Sequence, residues 1–313
     1  MRQVSPKLVP FLEQFNATVA KMLEAGFAPN ATNAREGLAN LTKGFVTEPR
    51  EVAIVQDDLA FAEGYNVPVR IYNPAPEKEL PVLIYYHGGG HMAGSVTVYD
   101  PICRRMALAT QHIVVAPEYR LAPENPYPAG EEDAYAVLLG VWDTLNRREM
   151  KYKKELSIAG DSAGGALCTA VASRAQYDFN LHIKKQAIIY PCVDYTMTVS
   201  EKSYHENAVG YLLHTAKCAW YFDNYIKRGA CRKDASPYFK DFTDGLPETL
   251  VITAEFCPLR DEGKLYYEKV KEAGVRAEHM HFDDMPHTFM NLENLVKEEC
   301  EQVYARFAEF LNS

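Results

Sequence analysis

The sequence predicts an α/β fold in which a mostly parallel central sheet carries helices on both faces, and three observations predict it. Strand-like and helix-like runs alternate from about residue 99 onward. A serine flanked by small residues, Gly160-Asp161-Ser162-Ala163-Gly164, joins a short strand-like run to a helix-like one. A buried-strand pattern, Val82-Leu83-Ile84-Tyr85-Tyr86, runs into His87-Gly88-Gly89-Gly90. Alternating β and α elements imply parallel strands covered by crossover helices. Sites in such sheets lie outside the carboxyl ends of the strands, and both glycine motifs fall at that edge.

The elements follow in order. Residues 1–50 read as helices, because Leu8, Phe11, Leu12, Phe15, Val19 and Leu23 recur at helical spacing. After Pro49 the pattern changes, and strand-like runs appear at Val52–Val55, Val67–Tyr72 and Val82–Tyr86. Their close spacing implies an antiparallel start. Further strands are expected at Ile113–Ala116, Leu156–Ala159, Ala187–Tyr190, Leu250–Ala254 and His279–Phe282. Helices are expected at Glu131–Leu145, Ala163–Ala175, Lys264–Ala273 and Leu295–Leu311. The organisation is thus a helical segment over 1–50 and an α/β domain over 51–313. Residues 197–239 form a non-strand insertion carrying Tyr204, Tyr211, Leu212, Leu213, Trp220, Tyr221, Phe222 and Tyr225. An amphipathic core face and a cap over the site both explain those side chains, and the two roles can coexist.

Composition narrows the function classes. A chain of 313 residues with 47% hydrophobic content can bury a large core. A net charge of -9 argues against a nucleic-acid surface, which needs clustered Lys and Arg. The groups Lys151-Tyr152-Lys153-Lys154 and Lys184-Lys185 read as solvated loop charges. No run approaches the roughly 18 apolar residues of a membrane helix, and residues 1–6 lack a secretory apolar core. Seven cysteines without metal-like spacing fit a reducing compartment, so the cytoplasm is expected. His279 and His281 alternate on a strand without a ligand set beside them; they read as surface residues, and no metal is expected. Oligomeric state, including a homo-oligomer, stays open.

The chemistry-bearing residues come next. Small residues at 160 and 164 let a strand-to-helix turn close, lifting the Ser162 hydroxyl above the sheet edge and over the positive end of a helix. A serine so placed is a candidate nucleophile. Acyl transfer creates an oxyanion, which needs backbone N–H groups from chain that can approach closely. The glycines after His87 and the N–H of Ala163 can supply them. Serine needs a base at the same edge, and His287, after the last strand-like run, is the preferred candidate. His91 is the rival, although its position suits the wall of a substrate pocket better.

Together, His87-Gly88-Gly89-Gly90, Tyr119-Arg120-Leu121-Ala122-Pro123-Glu124, Gly160-Asp161-Ser162-Ala163-Gly164-Gly165, Pro258-Leu259-Arg260-Asp261-Glu262 and His287 resemble the hormone-sensitive-lipase-like branch of the α/β-hydrolases, including bacterial acetyl esterases. The resemblance implies an α/β-hydrolase fold with a helical cap. It implies a serine carboxylesterase that acts on small short-chain esters without a cofactor. It places Gly89 and Gly90 beside Ala163 in the oxyanion hole.

The same resemblance puts the catalytic aspartate directly before Pro258, where this chain has Cys257. Loss of that charge in a related triad costs roughly 10⁴ in turnover, so impaired activity is expected. A Cys257 thiolate, Asp261 and Asp194 remain as substitutes. Asp261 also suits the start of a helix, and Asp194 follows the Ala187–Tyr190 strand. Glu255 would lie about 7 Å further down the strand at roughly 3.3 Å per residue. Asp283 and Asp284 read as shaping the His287 loop. The rival function is a ligand-binding protein on the same scaffold, with little or no chemistry.

Overall fold

A computed structural model describes residues 2–48, 50–62 and 64–313. The sheet has eight strands: β1 (Ile54–Ala62), β2 (Tyr65–Asn73), β3 (Leu80–Tyr86), β4 (Ile113–Pro117), β5 (Tyr152–Asp161), β6 (Ile183–Ile189), β7 (Glu248–Phe256) and β8 (Ala277–Pro286). Their order is β1-β2-β4-β3-β5-β6-β7-β8. β1 pairs antiparallel with β2 and β2 with β4, and the remaining pairs are parallel. The antiparallel start and parallel remainder match the expected α/β-hydrolase architecture. The pattern change after Pro49 falls on a residue outside the described ones, and β1 runs well beyond the expected Val52–Val55.

Helices flank both faces. α3 (Asp100–Thr110) and α10 (Lys297–Asn312) pack on one side, with Ile102, Met106, Val303 and Phe307 in its apolar layer. α4 (Ala129–Arg147), α5 (Ala163–Ala175) and α9 (Arg260–Glu272) pack on the other, with Val137, Val141, Val171 and Val270 in a second layer. Central strands covered on both faces must be apolar on both. β3 accordingly buries Val82, Leu83, Ile84, Tyr85 and Tyr86.

α1 (Val9–Glu24) and α2 (Ala31–Phe45) precede the sheet. α1 buries Leu12 but leaves Leu23 60% exposed, so its apolar stripe is only partly used. Between β6 and β7 the chain forms short helices, including α6 (Glu201–Glu206), α7 (Thr215–Tyr225) and α8 (Arg232–Ala235), in place of one amphipathic helix. The aromatic side chains of this stretch are therefore divided among several elements. Tyr204, Phe222 and Tyr225 are buried, and Tyr211, Trp220 and Tyr221 pack against the same layer.

Two readings of charge are corrected. Lys185 is not a solvated loop charge: it lies in β6, 1% exposed, and its Nζ donates to Phe310 O and Ser313 O at 2.6 Å each. Strand alternation turns it inward, and the carbonyl acceptors at the end of α10 compensate its burial. His279 and His281 are half-buried, and both contact the Thr253 hydroxyl at 2.8 Å.

Candidate active site

Ser162 is the single residue between β5 and α5, with φ 54° and ψ -118°. A non-glycine residue with positive φ outside the left-handed helical well costs energy and persists only when its surroundings impose it. Here the Ser162 N–H donates to Ile189 O at 2.9 Å, and its carbonyl accepts from Ala166 N at 3.1 Å and Cys192 N at 3.2 Å. The turn is too tight for other residues at its feet. A Cβ at Gly160 would stand 2.6 Å from the Gly164 backbone, and one at Gly164 would collide with the Tyr86 carbonyl oxygen.

β3 lies beside β5, so its carboxyl end delivers the glycine loop next to Ser162. Gly89 and Gly90 have φ of +125° and +62°, conformations that a side chain would strain. Asp161 locks this loop to the elbow. It is 1% exposed, and its carboxylate accepts from Gly88 N at 2.9 Å, Tyr85 OH at 3.1 Å and Tyr99 OH at 3.0 Å. Burial pushes its pKa up to about 6, against the three donors that favour the ionised form. His87 stacks on Tyr119 with ring centroids 4.3 Å apart, and its Nδ1 faces Gly88 O at 2.8 Å. Burial lowers its pKa to about 4, so the ring is neutral at pH 7 and Nδ1–H donates to that carbonyl.

The ends of β7 and β8 are also neighbours, and they set Cys257 beside His287. His287 Nε2 is 2.9 Å from Ser162 Oγ, and its Nδ1 is 3.0 Å from Cys257 Sγ. Burial alone drives the His287 pKa down to about 3. Burial drives that of Cys257 well above the ordinary thiol range, against a 3.3 Å hydrogen bond from Leu259 N. Both groups are therefore neutral at pH 7. A thiol can donate as well as accept, so it does not select the imidazole tautomer whose Nε2 is free to take a proton.

None of the substitute acids stands beside His287 Nδ1. Asp194 is fully buried within its own loop, accepting from the N–H groups of Thr196 and Thr198 at 2.8 Å and of Val199 at 3.0 Å. Asp261 accepts from Arg260 Nε at 2.7 Å and from Ser203 N at 3.0 Å. Glu255 bonds Arg2, Arg260 and His281. His287 Nδ1 thus faces the neutral thiol of Cys257, and among the described residues no carboxylate takes the missing acid's place.

Above this chain of contacts lies a cavity of about 170 Å³. Its floor includes Gly89, Gly90, Ser162, Ala163 and His287. Its walls include Phe15 from α1, Leu38 and Leu41 from α2, and Tyr221 and Phe222 from α7. His91 lines it too, held by a 2.8 Å hydrogen bond between Nε2 and Tyr195 OH and by stacking on Tyr225 at 3.8 Å.

A family model described as alpha/beta hydrolase fold matches residues 83–291. The carboxylesterase NlhH of Mycobacterium tuberculosis is 36% identical over 245 residues, 75% of each chain. The chain belongs to the hormone-sensitive-lipase-like branch of the α/β-hydrolases. The ethyl acetate hydrolase of Pseudomonas putida is 29% identical over 311 residues, 95% of each chain. Among solved structures, a Pyrobaculum calidifontis esterase superposes with a TM-score of 0.85 at 34% identity, covering 99% of this chain and 100% of that one.

In this α/β-hydrolase, the sequence reading gives no role to Asp161, which holds the glycine loop against the serine turn. The signal for Asp161 was its place inside the serine motif, but the two tyrosines that explain it lie 76 and 62 residues away.

Proposed function

We propose that the protein hydrolyses small, short-chain carboxylic esters through an acyl-enzyme, at a rate limited by Cys257. Ser162 attacks the ester carbonyl, and His287 takes its proton through Nε2 and returns it to the leaving alcohol. The N–H groups of Gly89, Gly90 and Ala163 hold the oxyanion; water then releases the acid by the same route. Ser162 Oγ and His287 Nε2, 2.9 Å apart at the floor of a cavity, carry this reading. Its volume of about 170 Å³ favours a short acyl chain, and the walls from α1, α2 and α7 act as the cap.

The neutral thiol at 257 explains the expected slowness. As Ser162 loses its proton, His287 becomes a buried imidazolium, and no carboxylate stabilises it. Cys257 also favours the second reading, a ligand-binding protein with residual chemistry, but the intact Ser162–His287 contact favours the enzyme. Seven free cysteines support a reducing, cytoplasmic location, and among the described residues no helix is long and apolar enough to cross a membrane. A fluorophosphonate probe should label Ser162 and block p-nitrophenyl acetate hydrolysis. Folded protein showing neither labelling nor turnover would sink the esterase reading.

A further inference from the structure

A carboxylate beside His287 Nδ1 would orient the imidazole as well as stabilise its charge, whereas a thiol is a weak donor and a weak acceptor. Orientation of the ring then falls largely to packing. Beyond Ser162 Oγ and Cys257 Sγ, the imidazole meets the Tyr190 ring, with centroids 4.6 Å apart and planes inclined by 58°. Tyr190 is fully buried and follows directly on β6. Phe289 packs against it in turn, edge to face at 5.7 Å, and Phe282 packs on Phe289 at 5.0 Å.

The backbone of Tyr190 is fixed as firmly. Its φ of 36° is positive, a conformation that a bulky residue keeps only when its surroundings impose it. Its N–H donates to Ile252 O of β7 at 2.6 Å. The residues around it hold the nucleophile: Ile189 O accepts from Ser162 N at 2.9 Å, and Cys192 N donates to Ser162 O at 3.2 Å. Pro191 fits against the start of α5, where a Cβ at Gly165 would stand 2.9 Å from Pro191 Cβ. Residues 189–192 thus grip the Ser162 backbone at their two ends and meet His287 through the Tyr190 ring.

We propose that Tyr190 is a positioning residue for His287: its ring holds the imidazole in register with Ser162 Oγ and so takes over the orienting role of the missing acid. The effect on rate rests on the esterase reading; the contact itself rests on packing. A misplacement of about 1 Å between reacting groups can cost on the order of 10² in rate, so loss of the ring should appear in kcat and hardly in KM. An aspartate at 257 would orient the imidazole through Nδ1, and the Tyr190 ring would then become dispensable.

Kinetics on p-nitrophenyl acetate and NMR of the imidazole test the two parts separately. Tyr190→Leu should lower kcat by roughly 10² with KM little changed, and Tyr190→Phe, which keeps the ring, should retain the wild-type kcat. In the Cys257→Asp background the loss from Tyr190→Leu should be far smaller, a coupling that a merely structural role would not produce. Equal losses in both backgrounds, no loss, or a Tyr190→Phe protein as slow as Tyr190→Leu overturns the proposal and leaves the esterase reading standing. In native protein labelled with ¹⁵N-histidine, His287 should give one sharp set of imidazole resonances with nuclear Overhauser contacts to the Tyr190 ring protons, whether or not an ester is turned over. Doubled or averaged His287 resonances, or missing contacts, overturn the proposal even where Tyr190→Leu does not fold. A fixed imidazole in contact with Tyr190, in a protein that hydrolyses no ester, overturns the esterase reading alone.

Discussion

Two buried corners of this molecule can be compared directly: Asp161 at the end of β5 and Cys257 just past the end of β7. Asp161 accepts three hydrogen bonds and fastens the glycine loop to the serine turn. Cys257 receives one long hydrogen bond from Leu259 N and touches His287 through sulfur. The charge is kept where it holds backbone in place, and it is missing where a proton must move. Positioning and activation are therefore separable here: the first is fully built, and the second is left to a neutral thiol.

The largest expected effect comes from making the two corners alike. Cys257→Asp should raise kcat/KM for p-nitrophenyl acetate by up to about 10⁴, the scale set by loss of the charge in a related triad. No gain in a folded variant would mean that the serine is not activated through His287. The same variant should shift the pH profile. The base must be unprotonated, and a carboxylate at 257 stabilises the imidazolium, so the His287 pKa should rise from about 3. The acid limb of kcat/KM should move to higher pH relative to wild type, and an unmoved limb would break the link between the two groups.

Weakening the other corner should cost less. Asp161→Ala leaves Gly88 N and two tyrosine hydroxyls without their acceptor and loosens the glycine loop. In the Cys257→Asp background, kcat should fall by roughly 10² to 10³, as for loss of an oxyanion donor, with KM changing less. A fall confined to stability, with kcat intact, would show that the loop holds its shape without Asp161. The smallest effect is expected from Tyr99→Phe, which removes one of the three donors and should lower unfolding stability by about 1 kcal/mol in urea denaturation.

The same division governs what could be read from the chain. The sheet, the serine turn and the glycine loop were legible because each depends on local events: apolar runs, a Gly160–Gly164 spacing, three glycines after a strand. Helix α5 was expected at Ala163–Ala175 and occupies that range. What escaped depended on partners distant in sequence. Lys185 carries no local mark of burial, because the acceptors that permit it come from the last turn of α10. Asp194 and Asp261 follow strands whose ends face the site, but N–H groups of their own loop and of α6 hold them elsewhere. Strand order alone cannot reveal such local competition.

The cavity walls come from stretches widely separated in the chain, α1 with α2 and α7, whereas its floor comes from the ends of β3, β5 and β8. Phe15, Leu38 and Tyr221 carry no chemistry, and none lies in a sheet strand. Substitutions at these positions can therefore reshape the space above the site without moving Ser162, His287 or the glycine loop.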